Sequence, residues 1–150
     1  MRALLLALAV TLSAAGVSAE EPFEGEWIAV SAEENGGAAP ELIGHRLSFD
    51  GDGFRIIDTD GALAYAGTYT AEPAGPFAAI DFTNTEGQAA GASWAGLWKQ
   101  DGSLLTIIDN APDPTKPRPD AFTAPVGSGY VMLVFVRDVA PDEGQEGGDG

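Results

Sequence analysis

Asp-Gly pairs at Asp50-Gly51, Asp52-Gly53, Asp60-Gly61 and Asp101-Gly102 constrain this chain more than any other feature. Asp-Gly favours tight turns with positive φ, the geometry that joins neighbouring antiparallel strands. Each turn lies between short runs of alternating apolar and polar residues. Residues 45–49 and 54–58 flank the first turn, 54–58 and 62–70 the second, 91–100 and 103–109 the last. Further strand-like runs cover 25–33, 79–83 and 130–137, the last being the most apolar segment after the leader. No long stretch outside the leader holds a period of 3.6 with a polar face, so helices have little to build on.

The intervening segments read as loops. Glu34-Asn35-Gly36-Gly37 leads into Pro40, and 40–44 has the length of one helical turn ended by Gly44. Residues 84–90 are polar, and 110–119 hold Pro112, Pro114, Pro117 and Pro119. The predicted fold class is all-β: an eight-stranded antiparallel up-and-down barrel, preceded by a signal peptide. A meander of eight strands exposes two edges unless its first and last strands pair. A β-sandwich is the competing architecture.

Residues 1–19 read as a secretory signal: Arg2, an apolar run from Ala3 to Leu12, then Val17-Ser18-Ala19 before Glu20. The run is too short to span a membrane, which takes about 20 residues. The expected location is therefore periplasmic or extracellular, with no membrane insertion after cleavage. The barrel domain is assigned to 20–137, and the acidic, Gly-rich 138–150 is expected to be a disordered tail. The chain has 150 residues and no cysteine, which excludes disulfides and thiolate metal sites. Cleavage removes Arg2 and leaves six basic residues against 23 acidic ones, a net −17. Such a field repels phosphate backbones, so nucleic acid is not an expected partner.

Gly25-x-Trp27 opening the first strand, Gly67-Thr68-Tyr69 on the fourth and Arg137 ending the last resemble the lipocalin-like pattern. More specifically, the chain from about 24 to 137 resembles a family of uncharacterised secreted planctomycete proteins with a lipocalin-like domain. The matching pieces include Val30-Ser31-Ala32-Glu33-Glu34-Asn35-Gly36, Ala39-Pro40-Glu41-Leu42, Asp58-x-Asp60-Gly61, Thr85-Glu86-Gly87, Gly96-Leu97-Trp98, Arg118-Pro119 and Gly127-Ser128-Gly129. Ile108 stands where that family often has a cysteine, and Phe77-Ala78-Ala79 where it often has a lysine. The resemblance implies architecture and no activity. It also implies that Arg137 covers Trp27 and closes one end of the barrel beside Gly25, a structural role.

Tyr65, Tyr69, Phe82, Trp94 and Trp98 recur at alternating positions on the fourth to sixth strands. Facing inward, they either line a cavity for a small apolar or amphipathic ligand or fill a packed core. Lys116 and Arg118, two apart among the prolines, offer a rim contact for an anion or partner; otherwise they pair with carboxylates such as Asp113 or Asp120. No cofactor, metal or catalytic group is expected. His45 is the only histidine, and no serine has a nucleophile-elbow context. Asp50-Gly51-Asp52-Gly53 and Asp58-Thr59-Asp60-Gly61 carry too few oxygen ligands for a calcium loop and read as turns. Two functions from different classes follow: an exported lipocalin-like binding module, or a filled envelope barrel acting through its loops. An enzyme is not expected.

Overall fold

A computed structural model describes residues 23–138. The signal-peptide reading of 1–19, and the tail reading beyond Asp138, lie outside the described residues. The strands are β1 (Gly25–Glu34), β2 (Gly37–Ala38), β3 (Arg46–Asp50), β4 (Gly53–Ile57), β5 (Leu63–Ala71), β6 (Ala78–Gly87), β7 (Ser93–Asp101), β8 (Leu104–Asp109) and β9 (Val131–Arg137), with a 3-10 turn at Pro40–Leu42. All pairings are antiparallel between neighbours in the sheet, and β1 also pairs with β9 from Trp27↔Arg137 to Glu34↔Val131. Eight strands, β1 and β3 to β9, thus close into an up-and-down barrel. One continuous closed sheet excludes the sandwich. The two-residue β2 is an outrigger folded back on the end of β1.

The turns are built as their residues dictate. β3 and β4 are joined at Asp50↔Gly53, with Gly51 at φ 63°. At the next turn the Asp58 carboxylate accepts hydrogen bonds from the backbone N–H groups of Asp60 and Ala62 at 2.8 and 3.0 Å. Those bonds hold the Asp58 carboxyl below its ordinary pKa. This local bonding identifies the acidic run as a turn.

One stretch differs from the sequence expectation. Residues 84–87, read as part of a loop, continue β6 and pair with β5. Their polarity suits the position, because Thr83, Thr85 and Glu86 lie on the solvent side of the sheet. Asn84 turns inward and is buried opposite Gly67, its amide donating to Ala92 O at 3.1 Å. A Cβ on Gly67 would come within 1.8 Å of Thr83 O, so the close approach of β5 and β6 depends on its absence.

Two apolar clusters occupy opposite faces of the same strands. The main cluster fills the barrel and includes Trp27, Phe49, Phe54, Phe82, Trp98 and Ile107. The second lies outside, where Leu97, Ile108 and Ala124 pack with Phe122, Tyr130 and Met132. The register Leu97↔Ile108↔Met132 alternates with Trp98↔Ile107↔Leu133, which explains the division. The loop after β8 forms this outer layer. Asn110 pins its start, accepting from Ala95 N–H and donating to Lys116 O at 2.7 Å. Tyr130 closes it, donating from its hydroxyl to Pro117 O.

The barrel's two ends differ. Trp27 is fully buried at the filled end and donates its indole N–H to Phe23 O at 2.7 Å. The Arg137 guanidinium lies 4.3 Å from the Trp27 ring centroid and donates to Glu24 O. Gly25 sits at φ 115°, and a Cβ there would meet Arg137 Nη1 at 2.8 Å. From Phe23 a chain of ring contacts climbs the interior. Phe23 touches Phe49 and Trp98, Phe49 touches Tyr69, and Phe54 touches Phe82, all with centroids within 5 Å.

Candidate functional site

The ring stack stops short of the other end. Above it opens a cavity of about 380 Å3. Trp94 and Tyr65 form part of its wall, edge to face with centroids 5.0 Å apart. Ile56, Leu133 and Phe135 add apolar surface from β4 and β9. The rim comes from three connections: Leu42 of the 3-10 turn, Gln88 to Ala92 between β6 and β7, and Ala111 to Pro114 after β8. Concave, mostly apolar space with a few converging polar groups is the usual form of a small-molecule site. The barrel is therefore filled at the Trp27 end and hollow at the mouth.

The aromatic residues singled out from sequence divide along that line. Tyr65 and Trp94 border the cavity. Tyr69, Phe82 and Trp98 belong to the packed cluster beneath and do not line it. The Trp98 indole N–H is committed to Glu72 O at 3.0 Å. Tyr69 and Trp98 pack against Phe23, and Phe82 packs against Phe54 and Phe49, so none of the three is left beside open space.

Three titratable residues that sequence reasoning did not place in the site do border it. Glu34 arrives through a bulge in β1. Ala29 pairs with Phe135 but Ser31 pairs with Val134, so Val30 is an extra residue. Trp27 and Ala29 face inward before the bulge, and Ala32 and Glu34 after it. Strict alternation from Trp27 would have turned Glu34 outward. His45, just before β3, presents a buried Nδ1 with no hydrogen-bond partner among the described residues.

Asp109 is the third. It continues the inward series Leu105, Ile107 along β8 and is only 5% exposed. That parity was a readable signal, but Thr106 and Ile108 on the other face are equally buried under the outer loop, which obscures the alternation. Ala111 N–H donates to Asp109 Oδ1 at 2.9 Å. The other oxygen has no hydrogen bond to a described residue. Burial pushes the Asp109 carboxyl up to about 7, against the smaller opposing effect of that backbone bond. Tyr65 is also pushed up, by burial first and then by the charges of Glu34 and Asp109. It remains a protonated donor at neutral pH.

The remaining sequence candidates lie elsewhere. Arg137, Trp27 and Gly25 sit together at the filled end. Arg118 lies on the barrel's outer face, donating to Gly96 O at 3.0 Å and Ile80 O at 3.4 Å, and pairing with Asp81 at 3.0 Å. Its carboxylate partner is thus a strand residue, and neither Asp113 nor Asp120. Lys116 stays in the loop, its stem close to Gly129 and its charge helping to lower the pKa of Asp113 after the Thr115 hydrogen bonds. Among the described residues no group of three or more His, Asp and Glu side chains is placed to hold a metal. Comparisons with protein-family models, with curated proteins and with solved structures found no match.

Proposed function

We propose that this chain is an exported lipocalin-like protein that holds a small, largely apolar or amphipathic molecule at the barrel mouth. The observation that supports this reading is the cavity of about 380 Å3 with its Trp94 and Tyr65 wall. A barrel needed only as a scaffold gains stability by filling that space, since each unfilled volume forgoes dispersion and burial. The polar groups at the wall serve to orient a bound molecule. A second reading, a barrel that meets partners through its loops, draws on the exposed Phe77 and Val126, 60% and 81% accessible. Those two side chains are single and scattered, which is ordinary for a protein surface.

The test uses the neutral fluorophore N-phenyl-1-naphthylamine with the exported protein. Saturable fluorescence enhancement is expected, and Ala89→Trp, which fills the mouth, is expected to abolish it without lowering the melting temperature. Equal binding by both proteins, or no binding by either, would leave the loop-contact reading in its place.

A further inference from the structure

We infer that the molecule held at the mouth is an organic cation with an apolar body, such as a protonated amine on an aromatic or alkyl frame. This rests on the cavity reading above and names the chemical class that the cavity selects. Two carboxyl groups, Glu34 and Asp109, border the space from different strands, and among the described residues no lysine or arginine borders it. Neither meets a counter-ion: the described ion pairs are Arg46–Asp138 and Arg118–Asp81, both elsewhere. Among the described residues the Glu34 side chain has no hydrogen-bond partner, and Asp109 keeps one oxygen uncommitted at 5% exposure. An unpaired carboxylate in such a position is costly, and a cation hydrogen-bonded to it removes the cost.

The aromatic wall agrees with the charge. The ring faces of Trp94 and Tyr65 attract a cation electrostatically, and their area accepts its apolar frame. A neutral apolar guest would leave both carboxyl groups and His45 Nδ1 without partners. An anionic guest would meet two like charges inside a chain of net charge −16. The titratable groups around Asp109 are Glu34 at the end of β1, His45 before β3 and Tyr65 on β5; the flanking β7 and β9 present only Trp94, Val131, Leu133 and Phe135 to the cavity. Cation affinity should therefore rise with pH through about 7 as Asp109 ionises, and level off above it.

Three probes of one shape test this: phenethylamine, 2-phenylethanol and 3-phenylpropanoate, each displacing N-phenyl-1-naphthylamine at pH 8. The amine is expected to bind about tenfold tighter than the alcohol, the worth of one charge-assisted hydrogen bond over a neutral one, with the carboxylate weakest. Asp109→Asn combined with Glu34→Gln should reduce the amine's advantage to about threefold or less while alcohol binding holds. Glu86→Gln, an exposed charge on β6 away from this cavity, should leave the advantage intact. Equal displacement by amine and alcohol, displacement by neither, or an advantage that survives the double substitution overturns the cation assignment. In each of those cases the cavity reading stands as long as the fluorophore binds. If the fluorophore itself does not bind, both readings fall.

Discussion

Asp109 occupies the space that a side chain on its cross-strand partner Gly96 would need. A Cβ on Gly96 would lie 2.7 Å from the Asp109 Cβ and 2.2 Å from Ile108 O. The bare backbone at Gly96 thus lets β7 and β8 approach closely and lets a carboxyl group point into the barrel. Gly96→Ala should destabilise the protein by about 1–3 kcal/mol, because the clash is with backbone and cannot be relieved by a rotamer change. It should also weaken mouth-ligand binding. Chemical denaturation and fluorophore titration measure the two effects, and an unchanged denaturation midpoint would contradict the packing argument.

The elevated pKa of Asp109 makes stability depend on pH with a definite sign. Its folded value of about 7 lies above the unfolded value of 3.8, so its contribution is fully present below about pH 4. The contribution is lost as pH rises through 7, where the folded state must ionise a buried group. Asn keeps an oxygen for Ala111 N–H and carries no charge. Asp109→Asn should therefore stabilise the free protein at pH 8 by on the order of 2–4 kcal/mol, with the gain shrinking toward zero near pH 4. Denaturation curves across this range decide it; a gain of the same size at every pH would show that charge is not the cause.

Arg137 should matter to the fold and not to the mouth. It stacks on Trp27, donates to Glu24 O and sits at the opposite end from the cavity. Arg137→Ala should cost about 1–3 kcal/mol through the lost cation–π contact and hydrogen bond. Fluorophore affinity should stay within twofold. A melting temperature equal to that of the unsubstituted protein would mean that Trp27 packs as well without its cover.

The Arg118 contacts are predicted to act through geometry more than charge. Asp81 is about half exposed, so Asp81→Asn should change stability by less than about 1 kcal/mol. Arg118→Met also removes the donors to Gly96 O and Ile80 O, and should loosen the outer loop. Lysine cannot reproduce a planar fork that serves two carbonyls and a carboxylate at once. Hydrogen exchange over residues 110–130 should therefore quicken in both Arg118→Met and Arg118→Lys. Similar protection in all three substituted proteins would assign the loop's order to Asn110 and the outer apolar cluster alone.

Much of the barrel was legible in local chemistry. Asp-Gly turns act over a few residues, so the hairpins β3–β4 and β7–β8 follow from sequence. So do the shared faces of Tyr65, Gly67 and Tyr69 and of Trp94, Gly96 and Trp98, because side-chain alternation is a property of the extended backbone. The inference of closure from eight consecutive strands rested on the cost of open edges, and β1 does pair with β9.

Which residues make the site was decided only in three dimensions. One extra residue, Val30, reverses the parity of β1 and turns Glu34 into the cavity; nothing local distinguishes Val30 as a bulge. The polar run 84–87 is strand because Gly67 lets β5 come close enough to pair with it. Ile108 is apolar because a loop of later residues covers the outside of the barrel, and that cover hid the alternation that sends Asp109 inward. Five aromatic residues looked equivalent along the chain. One end is plugged by Phe23 and Trp27 and the other is open, which packs Tyr69, Phe82 and Trp98 and leaves Tyr65 and Trp94 at a free wall. Turns and alternation are set by neighbours in the chain, whereas bulge parity, covering and the filling of one end depend on how distant strands meet.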